Sequence, residues 1–482
     1  MQNWNKLSYL KKEDLERIQS RKLRQFIRYK IPFSPYYSQL FKKAGIKFSD
    51  IKTTADLKKI PFTEKEDIAP KARDPAKPRD FILQPSEQLI KQIYSKPMLL
   101  SLGIQKFFGT NIEEKLENEF KPIHIHFTTG RTASPTPFLY SQQDIKQLKE
   151  AGKRMMEVFG ISKDNIAINA FPYAPHLAFW QTFFGLNTTN ILSLHTGGGK
   201  ITGTEKICKA IEAMKATMLI AMPGYAYHLV KEASESKMNF NSLKYVILGG
   251  ERVPAGMKDK IKELLMRRGA KNPKVLSTYA FTEGKVAWSQ CCEDSGYHLY
   301  PDMEFIEVVD NNGNVVEEGE KGEIVYTALD WRGTAVLRYK TGDLGVLEKE
   351  KCEFCGRTVP RIKQNIERKS EYKEFRLTKV KGELINLNAF YPLLSGHKAV
   401  KEWQIELKKK NNDPFELDEL YVYIAPKSGI DFEKLKAELA RKIKDETNIS
   451  PTKIIKADEK SLAQRLGMET ELKEKRILDK RP

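Results

Sequence analysis

The stretch Thr128–Thr136 reads TTGRTASPT, in which small hydroxyl residues surround one glycine, and Pro137 follows it. Upstream, residues 123–127 (IHIHF) alternate as in a strand, and downstream, residues 143–158 have helical spacing. A strand, a hydroxyl-rich loop and a helix commonly form a phosphate cradle, because N–H and hydroxyl groups donate to the oxygens. The same residues also fit an ordinary polar surface loop. The GxxxxGK[ST] nucleotide loop is excluded, because no lysine stands where that pattern needs one.

The composition is that of a large globular chain. Its 482 residues exceed one ordinary core, so two or three domains are expected, and 40% apolar residues suffice to bury a sizeable core. No apolar run approaches the ~20 residues of a membrane-spanning helix. The charged N-terminus lacks a signal-peptide segment, and the five unevenly spaced cysteines do not resemble a secreted disulfide framework. These observations favour a cytoplasmic location.

The formal net charge of +19 raises nucleic acid, anionic membrane and polyanionic small molecules as partner classes. The lysines are spread along the chain and interleaved with glutamates, without a long basic tail. The densest run, Lys408–Lys410, is interpreted as a solvated loop, and no compact zinc-finger or basic-zipper pattern accompanies it. We therefore expect no nucleic-acid partner and no membrane span, and a homodimer stays open.

Secondary-structure signals change along the chain. Residues 1–120 carry helical segments that are expected to wrap a larger body. Strands alternating with helices then predict a mostly parallel, doubly wound sheet, with strands at residues 165–171, 191–194, 217–221 and 243–248. From about residue 300, hairpin signals predict a β-rich segment. A small last unit begins near Glu367, with a strand at 420–424, a helix at 431–445 and a strand at 453–457.

Four motifs occur in a specific order: TTGRTASPT, LGGE (Leu248–Glu251), TYAFTE (Thr278–Glu283) and YKTGDLG (Tyr339–Gly345). Together they resemble the adenylate-forming (ANL) superfamily. Within it the chain is similar to the phenylacetate–CoA ligases, through the N-terminal RKLRQFIRYKIPFSPYYSQLFKKAGI and LKKIPFTEKEDI, the segment CEFCGRTVPRI and the ending KEKRILDKR. The resemblance covers essentially the whole chain. It implies an α/β fold: a large N-terminal domain (1–366) with mostly parallel sheets and a β-rich subdomain, and a small mobile α+β C-terminal lid (367–482).

The resemblance also implies an activity. Such enzymes use ATP and Mg²⁺ to convert a carboxylic acid into acyl-AMP and pyrophosphate, and then form a thioester with coenzyme A. Negative charge accumulates on oxygen atoms in this attack, so catalysis depends on positioning and electrostatics. The alternatives are a stand-alone adenylating enzyme that loads a carrier protein or another acceptor, and a binding protein with a decayed active site.

Residues that match the family's motifs are implied to bind the nucleotide. Glu283 resembles the Mg²⁺ carboxylate, with Thr282 beside it as a hydroxyl ligand, and Asp343 resembles the acceptor of the ribose hydroxyls. The implied ATP-binding set is Thr128, Thr129, Gly130, Arg131, Thr132, Gly249, Gly250, Glu251, Tyr279, Ala280, Asp343 and Arg361. The first motif departs from the family's SSGTTGKPT, since Arg131 replaces a threonine, Ala133 a glycine and Ser134 the lysine. Arg131 could supply the missing cation, because guanidinium suits phosphate.

The C-terminal segment carries the implied lid residues. Arg368 and Glu371 match the family's hinge, although glutamate replaces the usual aspartate. The run Lys379–Gly382 resembles the loop that faces the site during thioester formation. Lys473 aligns with the lysine that serves adenylation, and Lys475 is the second candidate.

The cysteines form a separate constellation. Cys352 and Cys355 make a CxxC, and Cys291 precedes His298. Three thiolates and one imidazole suit a structural Zn²⁺, and buried residues without a metal are the alternative. Cys292 could replace Cys291 as a ligand. Cys208 lies in a predicted helix and is assigned to the core, and so is left out of the metal site.

The family's acyl pocket would be lined by residues near 172–180 and 223–227. Here those segments supply Tyr173, His176 and Tyr225, together with further aromatic residues. An aromatic lining favours an aryl or arylacetic acid, although aromatic residues also fill ordinary cores. The sequence leaves the particular acid open.

Overall fold

The computed structural model describes residues 3–71, 73–128, 135–253, 256–363, 365–368, 378–380, 383–385, 387–409, 418–447, 449–467 and 474–481. These residues form two compact units. The first comprises Met1–Asp164, Ala174–Leu192 and Thr278–Ile366, and the second comprises Asn165–Tyr173, Ser193–Ser277 and Glu367–Pro482. The division into 1–366 and 367–482 stays a prediction.

Helices and strands are numbered here in chain order. The helices are α1 (Trp4–Leu7), α2 (Lys12–Tyr29), α3 (Pro35–Lys43), α4 (Lys65–Ile68), α5 (Glu87–Ile93), α6 (Lys96–Phe107), α7 (Ile112–Phe120), α8 (Gln142–Phe159), α9 (Leu177–Thr188), α10 (Gly199–Thr202), α11 (Thr204–Ala213), α12 (Pro223–Glu235), α13 (Met257–Arg267), α14 (Phe390–Ser395), α15 (Phe432–Thr447) and α16 (Glu459–Leu466). Short 3-10 turns occur at Ile31–Phe33, Phe48–Asp50, Thr54–Lys59, Lys77–Phe81, Thr282–Gly284 and Leu387–Ala389.

The strands are β1 (Pro122–Phe127), β2 (Pro137–Ser141), β3 (Ile166–Asn169), β4 (Leu192–His195), β5 (Met218–Ala221), β6 (Tyr245–Leu248), β7 (Lys274–Ala280), β8 (Ala287–Ser289), β9 (Tyr297–His298), β10 (Glu304–Val309), β11 (Lys321–Ala328), β12 (Tyr339–Glu348), β13 (Arg361–Ile362), β14 (Glu367–Arg368), β15 (Thr378–Val380), β16 (Glu383–Ile385), β17 (Val400–Lys409), β18 (Asp418–Pro426), β19 (Lys453–Lys456) and β20 (Ile477–Asp479).

Helices and an antiparallel sheet build the first unit. Helix α2 buries Leu15, Leu23 and Phe26 on one face, as its helical spacing of apolar residues predicts. The sheet runs in the order β10-β11-β12-β13-β9-β8, and residues 278–280 of β7 pair antiparallel with β8. Aromatic residues such as Trp288 and Trp331 fill the core that both layers share. The predicted β-rich segment is therefore confirmed. Helices α1–α7 lie within residues 4–120, and the predicted role of this part as a wrap around a larger body stays a prediction.

One local prediction was incomplete. Strand β2 intervenes between the Thr128–Thr136 loop and helix α8, and it pairs antiparallel with β1 from Pro122↔Ser141 to Phe127↔Pro137. The loop therefore closes a hairpin and does not lead directly into a helix. Helix α8 then begins with a capping box, in which Ser141 accepts from Asp144 N–H and the Asp144 carboxylate accepts from Ser141 N–H.

The second unit contains the predicted parallel sheet. Strands β3, β5, β6 and residues 274–277 of β7 pair in parallel, in the order β3-β5-β6-β7. The residues of β5 and β6 are almost all apolar and buried, as expected for strands covered on both faces. Helices α11, α12 and α13 connect or follow these strands and pack against the same core. The mixed α/β class is confirmed.

The C-terminal part of this unit contains a sheet in the order β19-β18-β17-β20. Strands β17 and β18 are antiparallel, and β20 and β19 are parallel to them. The interpretation of Lys408–Lys410 as a solvated loop was wrong for Lys408 and Lys409, which end β17. Alternating residues in WQIEL extend the strand up to the lysines, and the Lys408 ammonium lies 4.2 Å from the ring centre of Tyr421 on β18. Among the described residues, none of the helices is long and apolar enough to cross a bilayer.

Candidate active site

The neck of the Thr128–Thr136 loop is held by its own hydroxyl residues. Thr128 N–H donates to Thr136 O (3.0 Å), and Thr136 N–H donates to Thr128 Oγ1 (3.0 Å). His176 Nδ1 lies 2.9 Å from Phe127 O, so a predicted pocket residue contacts the end of β1. Thr129, Gly130, Arg131 and Thr132 lie outside the described residues, and their assignment to ATP stays a prediction.

Glu283 stands on a 3-10 turn directly after strand β7. The turn spans Thr282–Gly284, and Lys285 N–H closes it by donating to Thr282 O (3.2 Å). Tyr339 Oη donates to Glu283 Oε1 (2.8 Å), which fixes the carboxylate at the start of β12. A hard carboxylate beside a threonine hydroxyl is a ligand pair that suits Mg²⁺. The predicted roles of Thr282 and Glu283 stay predictions.

A bulge in β12 presents Asp343. The β11–β12 register shifts between Glu323 and Val325, and Gly342 has φ +72°, a left-handed conformation that favours glycine. Asp343 N–H donates to Thr341 Oγ1 (3.1 Å), and Thr341 Oγ1 donates to Ile324 O (2.8 Å). Tyr279 Oη then donates to Asp343 Oδ2 (2.7 Å). The structure therefore brings together two of the predicted ATP-binding residues, Tyr279 and Asp343.

Two further histidines lie on the β1–β2 hairpin. His124 Nε2 and His126 Nε2 are 2.9 Å apart, and His126 Nδ1 is 2.8 Å from Tyr140 Oη. Burial lowers the pKa of His126 to about 3, and His124 and Lys285 push it in the same direction. Trp180 packs edge-on against His124, with ring centres 4.9 Å apart. The hairpin beside the loop therefore has a neutral, aromatic and polar face.

The second unit carries the predicted ATP-binding residues Gly249 and Gly250. Gly249 and Gly250 directly follow β6, at its carboxyl end, where parallel sheets bind ligands. Gly250 has φ +82°, and a Cβ there would contact Met222 and Phe171. Tyr225 Oη lies 3.2 Å from Thr204 Oγ1, and a Cβ on Gly199 would lie 2.8 Å from the same hydroxyl. Tyr173, another predicted pocket residue, is exposed.

The lid residues are described only in part. Arg368 lies on strand β14 and Lys379 on strand β15. Glu371 and Lys473 lie outside the described residues. Lys475 N–H donates to Leu466 O (3.0 Å), and Lys475 O accepts from Gln404 Nε2 (2.7 Å). The hinge and both lysine assignments stay predictions.

The Arg361 guanidinium donates to acceptors within the protein. Nη1 donates to Ser295 O (2.9 Å), Nη2 donates to Glu350 O (3.3 Å), and Glu348 Oε2 lies 3.4 Å away. These contacts join β13 to the segment before β9. The geometry accounts for Arg361 as a structural residue, and its predicted contact with ATP stays a prediction.

Cys291, His298, Cys352 and Cys355 converge within the first unit. One ligand atom from each lies within 4.8 Å of all the others. Cys291 Sγ and Cys352 Sγ are 3.8 Å apart, and Cys355 Sγ is 3.3 Å from His298 Nε2. Two thiolates at about 2.3 Å from a tetrahedral Zn²⁺ would lie about 3.8 Å apart, so the set fits this ion. The other imidazole nitrogen, Nδ1, lies 3.4 Å from the backbone oxygen of Ser289. A backbone carbonyl is a common partner for the second nitrogen of a metal-bound histidine.

Sequence reasoning missed four residues near the site. Tyr339, which holds Glu283, is the first residue of YKTGDLG, and the two-residue period of a strand puts it on the face of Asp343. The alternation in IHIHF placed His124 and His126 on one face, which was a readable signal. Lys285 gave no signal, because a lysine after a glycine is usually exposed.

Comparison with known proteins identifies related sequences and a related fold. The family model for AMP-binding enzymes matches residues 42–329. The phenylacetate-coenzyme A ligase of Thermus thermophilus is 26% identical over 362 residues, which are 74% of this chain and 71% of that protein. The corresponding ligase of Escherichia coli K12 is 25% identical over 69% of this chain and 67% of its own length. A 2-hydroxyisobutyryl-CoA ligase in the postadenylation state shares the fold, with a TM-score of 0.76 at 22% identity over 99% of this chain and 92% of that one.

The fold is of the mixed α/β class, with a large sheet and a C-terminal α+β part. This chain belongs to the AMP-binding enzyme family. The prediction from the four ordered motifs is thereby confirmed, as is the similarity to phenylacetate–CoA ligases.

Proposed function

We propose that the protein is an AMP-forming acid–CoA ligase that acts on an aryl or arylacetic acid of the phenylacetate type. The observation that carries the proposal is the pair of carboxylates Glu283 and Asp343 in a family member, each of which accepts a hydrogen bond from a tyrosine hydroxyl of the same sheet. The similarity to phenylacetate-coenzyme A ligases over about two thirds of the chain or more supports the choice of acid and acceptor.

In the proposed first step, a carboxylate oxygen of the acid attacks the α-phosphorus of ATP. The bond from that phosphorus to the bridging oxygen breaks, and pyrophosphate leaves with the electron pair. In the second step the sulfur of coenzyme A attacks the acyl carbon, the thiol proton is lost, and AMP leaves. The chain's contribution is positioning: Asp343 would accept the hydroxyl groups of the ribose, and Glu283 with Thr282 would hold the cation that compensates the charge of the phosphates.

Glu283 and Thr282 would hold Mg²⁺ in this proposal. Their oxygen atoms are of the hard type that Mg²⁺ prefers, and Tyr339 already orients the carboxylate. When bound, the ion neutralises charge on the phosphate oxygens and the leaving pyrophosphate.

A panel of carboxylic acids tests the proposed function. We expect acid-dependent pyrophosphate release with phenylacetate or a related arylacetic acid, and a thioester product when coenzyme A is added. Release that is independent of coenzyme A, with no thioester formed, would indicate another acyl acceptor such as a carrier protein. Release that no acid stimulates would indicate a decayed site.

Substitution of Asp343 tests the ribose contact. We expect Asp343→Ala to raise the KM for ATP by about ten- to a hundredfold, because a charged hydrogen-bond acceptor contributes roughly 1.5–3 kcal/mol. Tyr279→Phe, which removes only the hydroxyl that orients Asp343, should have a smaller effect in the same direction. Steady-state kinetics at saturating acid measures both variants.

Asp310→Ala is the matched control for an aspartate in a turn. Asp310 accepts N–H bonds from Asn312 and Asn314 in an exposed turn of the same unit. The control should leave the KM for ATP unchanged. An Asp343→Ala variant with the wild-type KM would assign Asp343 to turn structure as well.

A structural Zn²⁺ is also part of the proposal, held by Cys291, His298, Cys352 and Cys355. Four protein ligands leave no open coordination position, so the ion would stabilise the fold and take no part in chemistry. We expect about one equivalent of zinc per chain in protein purified without an affinity tag. Chelation should lower the Tm before it lowers activity.

Two serine variants sharpen this prediction. Cys355→Ser should lose the metal, whereas Cys292→Ser should keep it, because Cys291 and not Cys292 lies in the converging set. Cys208→Ser is a second control, since Cys208 is buried on helix α11 and does not belong to the converging set. Zinc well below one equivalent in the wild type, or equal loss in all variants, would contradict the assignment.

A further inference from the structure

The buried lysine Lys285 is not used by any of the roles above. Its side chain and that of Asp144 are both completely buried, and Lys285 Nζ lies 3.1 Å from Asp144 Oδ2. Lys285 has φ +59°, an uncommon conformation for a side-chain-bearing residue, which persists only where the surroundings determine it. Taking two charges out of water is costly, so a buried ion pair is weak evidence for stability and points to another role.

The Lys285 ammonium contacts the strand that leads out of the phosphate loop. Nζ donates to Leu139 O on β2 (2.7 Å) and lies 4.5 Å from the ring centre of Tyr140. The indole of Trp331 lies on another side, with its ring centre 5.1 Å away. Burial lowers the pKa of Lys285, and Asp144 opposes that shift.

Asp144 extends this contact to a third segment. Oδ1 accepts Arg332 N–H (2.7 Å), and Oδ2 accepts Gly333 N–H (2.7 Å) and Ser141 N–H (3.1 Å) in addition to the lysine. A Cβ on Gly333 would lie 2.1 Å from Leu139 O, so the segment is packed directly on β2. The Lys285–Asp144 pair therefore connects three segments: the Glu283 turn, strand β2 and the chain around residue 332.

We propose that Lys285 is a positioning residue that sets Glu283 relative to the strand leaving the Thr128–Thr136 loop. Lys285 is two residues from Glu283 and closes its turn, while its side chain is anchored on β2. Glu283 and the loop that precedes β2 would both face the phosphates of ATP, so the spacing between them matters for adenylation. A displacement of about 1 Å between reacting groups costs about a hundredfold in rate. The inference rests on the proposed function.

The two half-reactions give the test, because only adenylation involves the β- and γ-phosphates of ATP. We expect Lys285→Met to slow acid-dependent pyrophosphate release by roughly ten- to a hundredfold. Thioester formation from supplied phenylacetyl-AMP and coenzyme A should be unchanged. Both rates are divided by the concentration of active protein, and circular dichroism checks that the variant is folded. Both half-reactions falling together, or neither changing, would overturn the inference.

Controls separate positioning from loss of structure. Arg154→Met removes another fully buried ion pair, with Asp302, neither of which is a predicted site residue, and it should not favour one half-reaction over the other. If Lys285→Met does not fold, the double variant Lys285→Met/Asp144→Asn removes the uncompensated charge and should show the same selective loss. A selective loss in Arg154→Met would contradict the inference. A wild type that fails in both half-reactions would overturn the proposed function itself, and the inference with it.

Discussion

Glu283→Gln should reduce acid-dependent pyrophosphate release by roughly a hundred- to a thousandfold, the scale of removing one preorganised electrostatic group. The amide keeps the size of the carboxylate and can still accept from Tyr339, so the fold should be retained. What is lost is the negative charge that a hard cation needs as a ligand. Rapid-quench measurement of pyrophosphate at saturating ATP and acid gives the rate.

Two comparisons make this result specific. Tyr339→Phe removes only the hydroxyl that orients Glu283 and should produce a smaller loss. Glu283→Gln given synthetic acyl-AMP should still form the thioester with coenzyme A, because that step involves no pyrophosphate. Wild-type pyrophosphate release by Glu283→Gln would remove Glu283 from the site.

Lys473→Ala should lose adenylation by a similar factor, roughly a hundred- to a thousandfold. The resemblance of the C-terminal segment to the family implies that a lid brings this lysine to the carboxylate and the α-phosphate, and then rotates to admit coenzyme A. The lysine would therefore serve only the first half-reaction. Pyrophosphate release and thioester formation from supplied acyl-AMP, measured separately, should show loss of the first alone.

Lys475→Ala is the matched control for this prediction. Lys475 lies two residues away, and its backbone bonds to Leu466 and Gln404 hold the chain in place independently of its side chain. If Lys475→Ala loses adenylation while Lys473→Ala does not, the alignment of the C-terminal segment is shifted by two residues. If Lys473→Ala loses only thioester formation, the two lid roles are exchanged.

Local patterns in the sequence carried most of the fold. The apolar runs of β5 and β6 and the helical spacing of α8 depend on near neighbours, so they were readable without tertiary contacts. Strand β2 was missed because it is short and begins with proline, and only its pairing with β1 makes it a strand. Lys408 and Lys409 were assigned to a loop by charge, whereas their cross-strand pairing with β18 keeps them in β17.

The residue types of the candidate site could be predicted from the sequence better than their arrangement in space. YKTGDLG indicated a functional carboxylate, but the bulge at Gly342 that aims Asp343 at Tyr279 depends on a register shift between two strands. The Cys352–Cys355 pair is local in sequence, whereas its approach to Cys291 depends on the fold of the whole sheet. Lys285 could not be predicted, since its burial depends on Asp144, which lies 141 positions away in the chain.

Transfer of a labelled oxygen tests the central claim, the formation of an acyl-adenylate, most directly. The acid is labelled with ¹⁸O in both carboxylate positions and incubated with the protein, ATP, Mg²⁺ and coenzyme A, and the nucleotide product is analysed by mass spectrometry. Attack of the carboxylate on the α-phosphorus leaves one acid oxygen on phosphorus when the acyl group departs, so the expected result is AMP that carries a single ¹⁸O. Unlabelled AMP, or ADP that accompanies phosphate release, would contradict the account.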